Sequence, residues 1–193
     1  MAEYINIKGQ SIEVVASDPA NPTIGQIWYN STSNTLKGGG VTTAGAWATG
    51  NNMNTARQDS KGAGTQTAAL SFGGSLPPGA ATGATEEYDG TNWTTSPPGL
   101  NTTRYGLAGA GIQTAAVAFG GEVPTETGAT EEYNGATWTS SPASLATARR
   151  EIAGAGTQAS ALAFGGYTGT AYSNATEEYT KTGTAGIKTI TVS

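Results

Sequence analysis

Apolar and polar positions alternate with a period of two in short runs along this chain. In TAALSFGG (67–74), Ala68, Leu70 and Phe72 fall on one face of an extended strand, and Thr67, Ala69 and Ser71 fall on the other. The run belongs to a longer segment written three times: GAGTQTAALSFGG (62–74), GAGIQTAAVAFGG (109–121) and GAGTQASALAFGG (154–166), at steps of 47 and 45 residues. ATEEY follows each copy, at 84–88, 129–133 and 175–179. An arginine stands five residues before each GAG, at Arg57, Arg104 and Arg149. Each unit predicts four short strands: the Gly-rich run, the run ending in Phe-Gly-Gly, ATEEY, and a last strand that starts at Trp. Gly-Gly, Pro-Pro, Asp-Gly and Asn-Gly punctuate the joins. No 3.6-residue apolar stripe persists, and Gly and Thr are abundant, so helices are not expected. The small side chains of the second strand predict close sheet-to-sheet packing.

A period near 45 residues carrying a Gly-Gly, a Tyr and a Trp is the spacing of propeller-type repeats. The pattern resembles the kelch repeat, in which Gly-Gly ends the second strand, a Tyr lies on the third and a Trp opens the fourth. Those positions are Gly73-Gly74, Tyr88 and Trp93, then Gly120-Gly121, Tyr133 and Trp138; the third copy has Gly165-Gly166 and Tyr179 but no Trp. The Ala/Thr-rich wording is similar to kelch-type repeats of marine bacteriophage structural proteins. NPTIGQIWYNSTSNTLKGG (residues 21–39) is similar to a β-hairpin module of phage fibre and tail proteins. The expected fold is all-β, with kelch-type propeller blades.

Two readings of the N-terminus stay open. Trp28 precedes Trp47 by 19 residues, as Phe119 precedes Trp138. On the first reading residues 1–40 belong to a degenerate first blade, which makes a small four-bladed ring closed within one chain. On the second they are an unrelated hairpin adaptor, and residues 41–193 are the kelch-like repeats.

Charge and composition then bound the function. Of 193 residues 12% are charged and the net charge is −5, which gives no clustered basic surface for nucleic acid and none for an anionic membrane. No run approaches the roughly 20 apolar residues of a membrane span. MAEYINIKGQ has neither a basic n-region nor an apolar h-region, so no secretory signal is expected. Low charge suits disorder, but regularly spaced aromatics oppose it. Cysteine and histidine are both absent. That removes disulfides, His-based triads and His metal ligands together. The copper-oxidase chemistry of some kelch-like proteins therefore does not carry over, and neither metal nor cofactor is expected. GAG-x-Q lacks the third glycine of a dinucleotide fingerprint, and there is no P-loop.

The recurring Glu-Glu pair is the remaining chemical candidate. Neighbours on a strand point to opposite faces, so Glu86 and Glu87 splay apart, whereas a glycosidase needs two carboxylates converging on one bond. A catalytic pair also belongs once per site, not once per repeat. The pair is therefore read as structural: one Glu meets the arginine of its own or an adjacent repeat, and the other faces solvent. The Phe, Tyr and Trp positions named above, with Phe72, Phe119 and Phe164, are expected in the core.

Binding, if any, belongs to the loops that differ between copies: SLPPGAATG (75–83), EVPTETG (122–128) and YTGTAYSN (167–174). Tyr167 and Tyr172 are the candidates for stacking on a sugar or packing on a partner, or else they cover the sheet edge. The resemblance implies a virion structural protein of fibre, tail or capsid surface, made in the host cytoplasm and not an enzyme. Its expected partners are other virion proteins and a host surface glycan, and it is expected to be a homo-oligomer. A carbohydrate- or receptor-binding propeller and a carboxylate-dependent hydrolase are the other two functions considered.

Overall fold

The computed structural model describes residues 12–40, 45–96 and 98–182. The fold is all-β: the described residues form strands, turns and loops and no helix, so no helix is long and apolar enough to cross a membrane. The chain divides into two compact units, Met1–Thr49 and Gly50–Ser193, nine residues later than the boundary expected at residue 40.

In the first unit, β1 (Glu13–Val15), β2 (Ile27–Asn30) and β3 (Thr35–Gly38) form one sheet. The β2–β3 hairpin is antiparallel, but β1 runs parallel to β2. Asp18 ties the sheet together. It accepts hydrogen bonds from the Trp28 indole at 3.0 Å and the Asn30 amide at 2.8 Å, and pairs with Lys37 at 2.6 Å. These three donors hold its carboxyl down at about 2.

The second unit contains the three repeats. The first is β4 (Lys61–Thr65), β5 (Ala68–Phe72), β8 (Thr85–Tyr88) and β9 (Trp93–Ser96), a four-stranded antiparallel meander with a side hairpin of β6 (Ser75–Leu76) and β7 (Ala80–Ala81). The second is β10 (Ala108–Ile112), β11 (Ala115–Phe119), β12 (Ala129–Tyr133) and β13 (Trp138–Ser144). The third has three described strands: β14 (Ala153–Gly156), β15 (Ser160–Phe164) and β16 (Thr176–Thr180). Register repeats with the sequence: Phe72 lies opposite Thr85, Phe119 opposite Thr130 and Phe164 opposite Thr176. The N-terminal sheet, with its parallel pair, does not repeat this all-antiparallel order. Trp47, expected to match Trp138, is fully exposed and lies outside any strand.

The repeat sheets stack face to face, and glycine sets the spacing. A Cβ on Gly109 would lie 2.4 Å from the Phe72 ring, and one on Gly154 would lie 2.9 Å from the Phe119 ring. The first glycine of GAG is thus a close-packing position between neighbouring sheets in the second and third repeats. The second strands of the first two repeats are accordingly buried on both faces toward their ends: Ser71, on the opposite face from Leu70 and Phe72, is buried as they are. Trp138 fills the gap between the first two repeat sheets. Its ring lies 4.9 Å from Phe72 and 5.0 Å from Tyr133, and its indole donates to the Thr85 hydroxyl at 2.9 Å.

Not every expected core aromatic is enclosed. Phe72 and Phe119 are buried, but Phe164 is 39% exposed because no described sheet follows its own. Trp93, at the other end of the stack, is half-buried against Tyr88, as is Tyr179 on β16.

Candidate functional site

The first glutamate of each pair meets the arginine of its own repeat. Arg57 reaches Glu86 at 3.2 Å, Arg104 reaches Glu131 at 3.2 Å and Arg149 reaches Glu177 at 2.6 Å, each arginine side chain being fully buried. The same carboxylates tie down the segment that leads into each repeat. Glu86 accepts the Asn54 and Thr55 backbone N–H groups, Glu131 those of Asn101 and Thr102, and Glu177 that of Ala146. Burial lowers the pKa of Arg57 and Arg104, and the paired glutamate offsets part of this. Burial pushes Glu177 up, but the Ala146 N–H and the Arg149 guanidinium outweigh it and hold the carboxyl below its usual range.

The second glutamate does not face solvent where a further sheet follows. The Tyr133 hydroxyl donates to Glu87 at 2.6 Å and the Tyr179 hydroxyl donates to Glu132 at 2.5 Å, so each bond crosses from one sheet to the next. Burial and then the adjacent carboxylate raise the pKa of both tyrosines. Only Glu178, on the last described strand, is exposed as expected. The sequence concealed this because the partner tyrosine lies about 46 residues away, in the next copy of the same word. Among the described residues no group of three or more Asp or Glu side chains could hold a metal ion.

The remaining chemistry lies in the variable loops. The residue after each repeated arginine, Gln58, Tyr105 or Arg150, bridges through its backbone to the first loop residue, Ser75, Glu122 or Tyr167. In the third repeat this places a cation over one ring of a tyrosine pair. The Arg150 guanidinium lies 5.1 Å above the Tyr167 ring, and Tyr167 lies 5.4 Å from Tyr172 at an angle of 57°. Arg150 pairs with Glu122 and, at 3.6 Å, with Glu126 of the neighbouring loop; the Glu122 bond raises its pKa. The Tyr167 hydroxyl donates to the Gly169 carbonyl at 3.0 Å. Tyr172 is 90% exposed, so one face of the pair is open. An aromatic face rimmed by a cation and carboxylates can stack on a sugar ring and bond its hydroxyls. The two tyrosines were legible in the sequence. Arg150, Glu122 and Glu126 were not, since nothing in spacing marks which charged residues the loops bring together.

No protein-family model matches the chain, and no curated protein does. The solved structure of YjhT is similar, with a TM-score of 0.55 at 14% identity over 78% of this chain and 47% of that one. At that identity the likeness concerns the fold alone. This chain spans about half the length of the structure it matches.

Proposed function

We propose that the chain is a non-enzymatic structural component of a bacteriophage particle, from its fibre, tail or capsid surface. Its three repeat sheets are kelch-type propeller blades that present a variable loop face. The wording of the repeats and the phage-type N-terminal hairpin support the particle. One observation carries the non-enzymatic part: the recurring side chains capable of chemistry are engaged in the scaffold. Glu86, Glu131 and Glu177 hold arginines, and Glu87 and Glu132 hold the tyrosines of the next sheet. The greatest differences between copies lie in the loops, as suits attachment. Peptide mass spectrometry of purified particles tests the assignment. The chain should be present in a fixed ratio to the major capsid or tail protein, and its absence from particles would refute the reading.

The exposed Tyr172 face favours one second reading, a carbohydrate- or receptor-binding surface at the tip of such a particle. A glycan array should then show saturable binding that Tyr172→Ala abolishes while the fold, followed by circular dichroism, is kept. Turnover of bacterial polysaccharide would instead revive the hydrolase.

A further inference from the structure

The contacts that join neighbouring repeat sheets recur at both junctions, so their missing halves can be located at the two ends of the stack. Two are backbone bonds. Gly74 N–H donates to the Arg104 carbonyl and Gly121 N–H to that of Arg149, both at 2.9 Å. Gly106 N–H donates to the Asp59 carbonyl and Glu151 N–H to that of Gly106. Two more use side chains. Gln113 donates to the Ala69 and Tyr88 carbonyls of the preceding sheet, and Gln158 donates to those of Ala116 and Tyr133. The tyrosine-to-glutamate bonds complete the set.

On the outer face of the third sheet, the matching positions are Gly166 N–H, the Glu151 carbonyl and Glu178. None of them makes its junction bond to another described residue. The first sheet presents the opposite partners in the same order: the Arg57 carbonyl, Asp59 N–H and the Tyr88 hydroxyl. Gln66, the counterpart of Gln113, is exposed there as well. The apolar parts also correspond. Trp138 packs on Phe72, and Trp93, its counterpart, is half-buried while Phe164, the counterpart of Phe72, is 39% exposed.

We propose that the third repeat sheet of one copy docks on the first repeat sheet of a second copy, and that two copies close one ring of six sheets. Donors and acceptors at the two ends are complementary, so the contact is head to tail. A head-to-tail contact closes when the rotation per copy divides the circle. Six blades lie within the usual range of four to eight for propellers, and a single chain covers 47% of the structure it resembles. Closure also removes the free faces and edges at the ends of the stack.

The same contact supplies a strand. The third sheet has three described strands, and no Trp follows Tyr179 at the spacing that separates Tyr133 from Trp138. A cavity of about 190 Å³ lies there, bounded by Phe119, Thr130 and Tyr179. These are the counterparts of Phe72, Thr85 and Tyr133, which surround Trp138. AGAWATG (44–50) carries a Trp three residues before Gly50, as Trp138 stands three before Ser141. Gly50 lies beside the Tyr88 hydroxyl, where Ser96 lies beside that of Tyr133. The spacing therefore makes Trp47 of the second copy the missing fourth-strand residue, inserted into this cavity with its segment paired to β16. The proposal rests on the blade reading of the repeats and not on the virion.

The absence of cysteine makes the test clean. A full-length chain carrying Glu178→Cys and Tyr88→Cys is oxidised mildly and sized under denaturing conditions. The second repeat separates the two positions within one copy, so a disulfide reports contact between copies. A closed pair gives a covalent dimer and no ladder. A ladder of higher multimers overturns the two-copy ring, and failure to crosslink with a single-chain mass in sedimentation overturns the contact. Phe164→Glu should convert the two-chain mass to one chain with the β-sheet circular dichroism retained; an unchanged mass would also overturn it. Trp47→Ala should weaken association at least tenfold, and unaltered association would overturn the strand exchange. Recovery from particles is a separate measurement, so loss of this proposal leaves the virion reading untouched.

Discussion

Arg104 and Glu131 form a buried ion pair whose two members are unequally supported, and this asymmetry can be measured. Their closest atoms are 3.2 Å apart, with side chains 0% and 2% exposed. At an effective dielectric near 20 such a pair attracts by about 5 kcal/mol, against a desolvation cost of similar size. Glu131 has other donors: the Asn101 N–H at 2.7 Å, the Asn101 amide at 2.9 Å and the Thr102 N–H at 3.2 Å. Arg104 has none, and its Nε and both terminal nitrogens lack hydrogen-bond acceptors among the described residues. Removing Arg104 thus leaves a carboxylate that is still hydrogen-bonded. Removing the charge of Glu131 leaves a guanidinium buried alone. Arg104→Met should cost about 3 kcal/mol and Glu131→Gln about 5 kcal/mol, the two ends of the range for breaking a buried pair. The double variant should cost less than the sum by at least 1 kcal/mol, since the stranded cation is gone. Urea unfolding with a common m-value measures all three. Equal costs, or a larger cost for Arg104→Met, would refute the account of which partner depends on the other.

Trp138→Ala removes a buried ring that touches Phe72 and Tyr133 and takes a donor from the Thr85 hydroxyl, so it should cost roughly 3–5 kcal/mol in thermal or urea unfolding. Gly109→Ala should be destabilising by about 1–3 kcal/mol, because its Cβ would press 2.4 Å from the Phe72 ring; Phe72→Leu in the same chain should recover part of the loss. Stability should also fall in acid. Glu132 and Glu177 have depressed pKa values when folded, so their contribution is fully present above the ordinary carboxylate value near 4.3 and is lost as pH falls through the lower folded values. Melting temperature followed from pH 6 to pH 3 should drop less steeply in Glu177→Gln than in the native chain.

Strand positions in the repeats were legible because each is stated three times with period-two patterning. The Gly-Gly, the Tyr and the Trp each mark a strand end, and the register puts Tyr88 opposite Trp93 and Tyr133 opposite Trp138. The arginine-to-glutamate pairing was legible in kind, because an arginine and a Glu pair recur once in every repeat of a chain with few charges, and opposite charges that recur together need each other. The role of Glu87 and Glu132 was not. A residue on an outward strand face reads as solvated unless the next sheet is known to cover it, and covering is a property of the stack. The N-terminus was legible only in part: the Trp28-to-Trp47 spacing copies the repeat, but the parallel pairing of the strand before Trp28 is something periodicity does not encode.

The identical words in the three repeats have unequal surroundings, and that inequality is informative. A Glu on the third strand is satisfied by a tyrosine in two copies and exposed in the last. A Phe before Gly-Gly is enclosed in two copies and 39% exposed in the last. A repeat drifts readily at positions where one copy has lost its partner, since nothing there opposes substitution. Yet ATEEY and AFGG are spelled in the third copy as they are in the second. Retention of the same residues where this chain alone leaves them open follows physically if a further sheet covers them in the assembled protein.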